Sequence, residues 1–101
     1  MVDRSGDWFR QAEQDLAQAE DSRRAGRHEW ACFAAQQSAE KAVKAIHLRL
    51  GQEAWGHVIA VLLRELPPTV PALPELIEKG RVLDNLYIPS RYPNSHPAGA
   101  P

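Results

Sequence analysis

Arg91 and His96 stand with four residues between them in the segment RYPNSH. An arginine holds a phosphate through its planar guanidinium fork and stabilises charge during phosphoryl transfer. A histidine titrates near neutrality, so it can take a proton from a ribose hydroxyl or return one to a leaving oxygen. Together these two residue types would suffice for RNA cleavage without a metal. Tyr87 and Tyr92 flank the segment and offer faces on which a base can stack. The plainer reading of all four is structural: the tyrosines pack a tail against the body of the protein, and the Arg–His spacing is fortuitous.

A second polar group lies in mid-chain. Gln37, Lys41 and Lys44 recur at steps of four and three, with Gln36 and Glu40 beside them. Glu40 and Lys44 are an i,i+4 pair in the favourable order for a helix. Two readings stand here as well. One is a solvated helix face with a weak ion pair. The other is a surface for a partner chain or an anionic ligand.

Other chemistry has less support. His28, His47 and His57 are isolated and show no metal-binding spacing. Cys32 is the one cysteine, which excludes an internal disulfide and a cysteine zinc site. It falls on an apolar stripe, where a thiol is buried and inert. There is no Gly-rich phosphate loop, and no serine sits in a nucleophile elbow. No cofactor and no metal are expected.

These residues must be positioned by helices. Alanine occurs 15 times and threonine once, and Val and Ile together total 10, a balance that favours helix over strand. The chain has 101 residues, 44% apolar and 25% charged, which is one globular domain, 1–101, with one modest core. A net charge of -1 argues against a basic nucleic-acid binder as a whole, while leaving room for local patches. The run Val58–Leu63 is far too short for a membrane span, and Asp3, Arg4 and Asp7 precede any apolar run, so no leader is visible and a cytoplasmic protein is expected.

The first helix is expected to start near Ser5 or Asp7 and to stop at Gly26, with Trp8, Ala12, Leu16 and Ala19 as its apolar stripe. The second runs from about His28 to Leu50 and stops at Gly51, with Cys32, Ala35, Ala39, Ala42, Ile46 and Leu50 as its apolar line. Two long helices joined by a short glycine turn make an antiparallel hairpin. A short third helix opens at Gly56 and His57 and ends at Pro67 and Pro68. A fourth spans about Pro74 to Tyr87, weakened in its middle by Gly80. Residues 89–101 carry four prolines and read as a Pro-rich, non-helical tail. The fold class is therefore all-α, an up-and-down bundle of about four helices, two long and two short.

At this point the residues resemble a known family. ACFAAQQSAEKAVKAIHLRLG, residues 31–51, closely resembles the signature helix of HEPN domains. DWFRQAEQDLAQAE, residues 7–20, is similar to their first helix, and VLLREL after His57 to their short third helix. LDNLYIPSRYP, residues 83–93, resembles the segment before their last helix. The likeness spans about residues 7–97. It implies an up-and-down bundle paired into a homodimer. Many members lie beside a minimal nucleotidyltransferase, as the two halves of a toxin–antitoxin pair. Active members are metal-independent ribonucleases, with an Arg followed after four to six residues by a His at the dimer interface. Others are non-catalytic nucleotide- or RNA-binding modules.

The resemblance thus implies that Arg91 binds phosphate and His96 is the general acid/base, with Gln37, Lys41 and Lys44 lining a shared cleft or holding a neighbour. Two features depart from the family pattern. Pro93 and Pro97 bracket His96, and the family's last helix has no counterpart before Pro101. The alternative is a non-catalytic module that docks onto a minimal nucleotidyltransferase and helps to hold its nucleotide.

Overall fold

A computed structural model describes residues 3–91. Four helices follow one another, α1 (Ser5–Arg24), α2 (His28–Arg49), α3 (Ile59–Arg64) and α4 (Pro74–Arg91), and there is no strand among the described residues. No helix among them is long and apolar enough to cross a membrane.

Helices α1 and α2 form the expected hairpin. Both stops are left-handed glycines, Gly26 at φ 77° and Gly51 at φ 76°. After α1, Gly26 N–H donates to the Arg23 carbonyl at 3.0 Å and Arg27 N–H to the Ser22 carbonyl at 2.8 Å. After α2, Gly51 N–H donates to Leu48 at 3.0 Å and Gln52 N–H to His47 at 2.9 Å. Each pair is a Schellman closure, which satisfies carbonyls the helix leaves open and needs φ > 0 at the glycine. The start of α1 is held differently from expectation. Arg4 is the capping residue without a side-chain bond, and Ser5 is already helical and buried. Asp3 supplies the missing acceptor by taking the Ser5 N–H at 2.8 Å. That bond holds the Asp3 carboxyl below its ordinary 3.8. The contribution is present above that value and is lost as the pH falls through the lowered one.

The buried faces differ from the expected stripes. On α1 the buried residues are Ser5, Ala12, Ala19 and Ser22, whereas Leu16 is 54% exposed and Trp8 only half-buried. Small residues let α1 lie close on α2, and Ser38 of α2 donates its hydroxyl to the Ala12 carbonyl at 2.7 Å across the contact. On α2 the expected ends of the apolar line, Ile46 and Leu50, are exposed. Buried instead are Ala34, Gln36, Ser38, Glu40, Val43, Ala45 and His47. The reason is that α2 is central, packed by α1 on one side and by α3 and α4 on the other. A helix with neighbours on two sides has no single stripe.

The core is Val43, Ile59, Leu62 and Leu63, with Ala39, Leu66, Ile77 and Leu83 packed around them. It is built on α3, which starts later than expected and takes Val58, not Gly56 or His57, as its N-cap. Asp84 of α4 completes that end. Its carboxylate accepts the backbone N–H of Ile59 at 2.9 Å and of Ala60 at 3.1 Å. A negative charge at a helix N-terminus also meets the favourable end of the dipole. His47 holds α3 from the other side. Its Nε2 lies 2.9 Å from the Leu62 carbonyl, which can only accept, so Nε2 carries the proton.

Gly80 is a correction to the reading of a weak point in α4. A Cβ there would stand 2.9 Å from Ile59 Cγ2 and 3.2 Å from Leu63 Cδ1, so the glycine is what lets α3 seat on α4. α4 is also longer than expected. It continues past Tyr87 to Arg91, so residues 89–91, assigned from sequence to a non-helical tail, are helical. Proline holds φ near the helical value and has no N–H, so Pro89 takes one hydrogen bond from the last turn of α4.

Two substitutions test this account. In an open helix Gly→Ala stabilises by about 1 kcal/mol. Here overpacking of about 1–3 kcal/mol opposes it, so Gly80→Ala should lower the thermal midpoint; a raised midpoint would show that α3 yields to the methyl. Asp84→Ala should cost about 1–2 kcal/mol in denaturant unfolding, by the loss of a helix cap.

Candidate functional site

Gln36 and Glu40 lie one turn apart on α2, and both are buried, at 0% and 5% exposure. Buried polar side chains must find partners. Gln36 Nε2 donates to the His57 carbonyl at 2.8 Å. Its Oε1 accepts from Gln37 Nε2 at 2.9 Å. Glu40 Oε2 accepts from Lys44 Nζ at 3.1 Å and lies 3.0 Å from His57 Nδ1. A carboxylate can only accept, so Nδ1 carries the proton. Glu40 Oε1 has no hydrogen-bond partner among the described residues. His57 is therefore gripped at its carbonyl by Gln36 and at its ring by Glu40. That double hold sets the turn before α3, where Gly56 takes φ 95°.

The expected polar face divides in three. Gln36, Glu40 and Lys44 turn inward around His57. Lys41 goes to α1, where its Nζ pairs with Asp15 Oδ2 at 2.8 Å. Gln37 reaches a separate hollow of about 490 Å³ that also carries Asp21 and Trp30. None of these is the simple solvated face that spacing suggested.

Lys44 Nζ also sits 5.9 Å from the Trp8 ring centroid, a distance at which the ring face attracts a cation. Trp8, Lys44, Leu48, Glu53, Trp55 and His57 surround an open cleft of about 420 Å³. The cleft brings two indoles, two basic side chains and one carboxylate together. That set can stack a flat ring and attract an anion beside it. A smaller, apolar hollow of about 230 Å³ lies elsewhere, with Phe9, Ile46, Leu50 and Val70 on its walls.

Arg91 is the last residue of α4, and Tyr87 lies one turn before it on the same helix. Tyr92 and His96 lie outside the described residues. Of the cleft residues sequence reasoning had only Lys44, and it missed Trp8, Leu48, Glu53, Trp55 and His57. Trp8 counted as part of a buried stripe and His57 as a lone turn histidine. The one signal was the i,i+4 pairing of Gln36 with Glu40, which says that the two share a face but not what faces them.

The family model of the HEPN domain matches residues 5–99. The structure is similar to the crystal structure of TT1696 from Thermus thermophilus, with a TM-score of 0.89 and 50% identity over 96% of this chain and 76% of that one. It is also similar to the crystal structure of ST0689, an archaeal HEPN homologue, with a TM-score of 0.74 and 41% identity over 99% of this chain and 77% of that one. No curated protein matches the chain. A family match running from α1 past α4, on a helical bundle shared at 50% and 41% identity with two solved structures, makes this chain a member of the HEPN domain family.

Proposed function

We propose that this HEPN chain is a nucleotide- or RNA-binding module that works as a homodimer and docks onto a minimal nucleotidyltransferase, without cutting RNA itself. The observation that carries this reading is the cleft in which the indoles of Trp8 and Trp55 stand with Lys44 and His57. A nucleotide needs a stacking face for its base and a donor for its phosphate, and the cleft brings indole faces together with the Lys44 ammonium. The net charge of -1 fits a small ligand better than a long stretch of nucleic acid, since phosphate-tracking proteins depend on many cations. The pairing surface in this reading is the apolar hollow around Phe9, Ile46, Leu50 and Val70, whose side chains are all at least one-third exposed.

A second reading keeps Arg91 as phosphate ligand and His96 as general acid/base of a metal-independent ribonuclease, the toxin of a toxin–antitoxin pair. The observation in its favour is that α4 carries Arg91 on its last turn instead of leaving it in a loose tail.

Purified protein incubated with single-stranded RNA and a chelator separates the two. The expected outcome is intact RNA with both wild type and His96→Ala; cleavage by wild type that disappears in His96→Ala would establish the ribonuclease. Saturable quenching of tryptophan fluorescence by nucleoside monophosphates is expected, and Trp8→Ala should weaken it. In sedimentation, wild type is expected as a dimer and the double variant Ile46→Asp, Leu50→Asp as the 11.3 kDa monomer. A wild-type monomer at micromolar concentration would remove the homodimer from the proposal.

A further inference from the structure

Glu53 is the one carboxylate among the described residues on the wall of the tryptophan cleft. It is exposed, in the connection between α2 and α3, and has no hydrogen bond or ion pair among the described residues. The two basic side chains of the cleft and the nearby Asp3 are already engaged. Lys44 and His57 both lean on Glu40, and Asp3 takes Ser5 N–H and Arg49. A free carboxylate beside aromatic faces is unfavourable for an anion alone, and aromatic faces beside two basic groups are unfavourable for a cation alone. A ligand must satisfy both ends.

We infer that the cleft takes a guanosine phosphate unit, with Glu53 reading the guanine edge; the inference rests on the nucleotide-binding reading above. Guanine presents two adjacent donors, N1–H and the 2-amino group, on its Watson–Crick edge. A carboxylate accepts both in a bidentate, charge-assisted pair. Adenine, cytosine and uracil each place a lone pair beside their donor, which faces the carboxylate with repulsion instead of a second bond. The preference comes from the second charge-assisted bond, which guanine alone supplies.

The rest of the cleft fits the same ligand. Trp55 is 78% exposed and presents an indole for the base, while Trp8 is already covered in part by Lys44. Glu40 sets one negative charge against Lys44 and the His57 ring, so the inner wall is neutral with a neutral imidazole and positive with a protonated one. A phosphate placed there meets the Lys44 ammonium, and meets a second donor at His57 Nε2 when the imidazole is protonated, since Nδ1–H is given to Glu40. A second hollow of about 570 Å³ shares Trp8, Leu48 and Glu53 with the first and brings Arg4, leaving room for a chain that continues beyond one nucleotide.

Glu53 and Trp55 are exposed, so their replacement leaves the bundle intact. The test is affinity for GMP, AMP, CMP and UMP, read by calorimetry on the wild type, Glu53→Gln and Trp55→Ala. Wild type is expected to bind GMP at least about tenfold more tightly than the other three, from one charge-assisted pair. Glu53→Gln should erase that preference, and Trp55→Ala should weaken every nucleotide about tenfold through lost stacking. Equal affinity for all four bases, or a preference that survives Glu53→Gln, overturns the guanine assignment and leaves the nucleotide-binding reading standing. Binding of none overturns both. A guanosine-containing RNA trinucleotide run beside GMP identifies the source. Tighter binding of the trinucleotide points to single-stranded RNA and equal binding to a free nucleotide, and both outcomes support the site.

Discussion

The pair of backbone bonds from Ile59 and Ala60 to the Asp84 carboxylate is the contact on which the rest of the structure depends. α3 has six residues, too few to be stable as an isolated helix. It exists because α4 caps its start, Gly80 leaves room for its side chains, and His47 takes the Leu62 carbonyl. Once α3 is seated, Ile59, Leu62 and Leu63 close the core. The connection from α2 to α3 then has a fixed end, and the residues on it gain defined places.

That connection carries half of the cleft. Glu53, Trp55 and His57 come from it, and Trp8, Lys44 and Leu48 come from α1 and α2. Gln36 and Glu40 tie the two halves together by holding His57 at carbonyl and ring. A polar pair buried in the middle of a helix is costly unless every group is met. Here three of the four terminal atoms are engaged and Glu40 Oε1 is not. The hydrogen bonds that are made are directional and set the geometry of the turn.

The same seam explains why α2 does not behave as an amphipathic surface helix. Its small residues allow α1 to approach, Gln36 and Glu40 turn toward His57 before α3, and His47 reaches α3 itself. Lys41 and Lys44 pair with Asp15 and Glu40, so the positive charge of the long helix is largely neutralised within the molecule. An interaction module with a local binding cleft follows more naturally from this than a broad electrostatic surface for nucleic acid.

The sequence by itself determined that the chain is helical, where the two long helices stop, that they form a hairpin, and that the chain resembles HEPN domains. Those features are local. Glycines at the helix ends, alanine content and family motifs act through neighbours in the chain. Only the tertiary structure decided that Gln36 and Glu40 face inward, that Leu16 and Ile46 face out, that Gly80 is a seat rather than a weakness, and that Trp8 and His57 share a cleft. Periodicity tells which residues share a helix face but not how many neighbours the helix has. α2 has them on two sides, and the meeting of Glu40 with His57, or of Trp8 and His57 around one cleft, joins residues too far apart in the chain to leave a trace in local spacing.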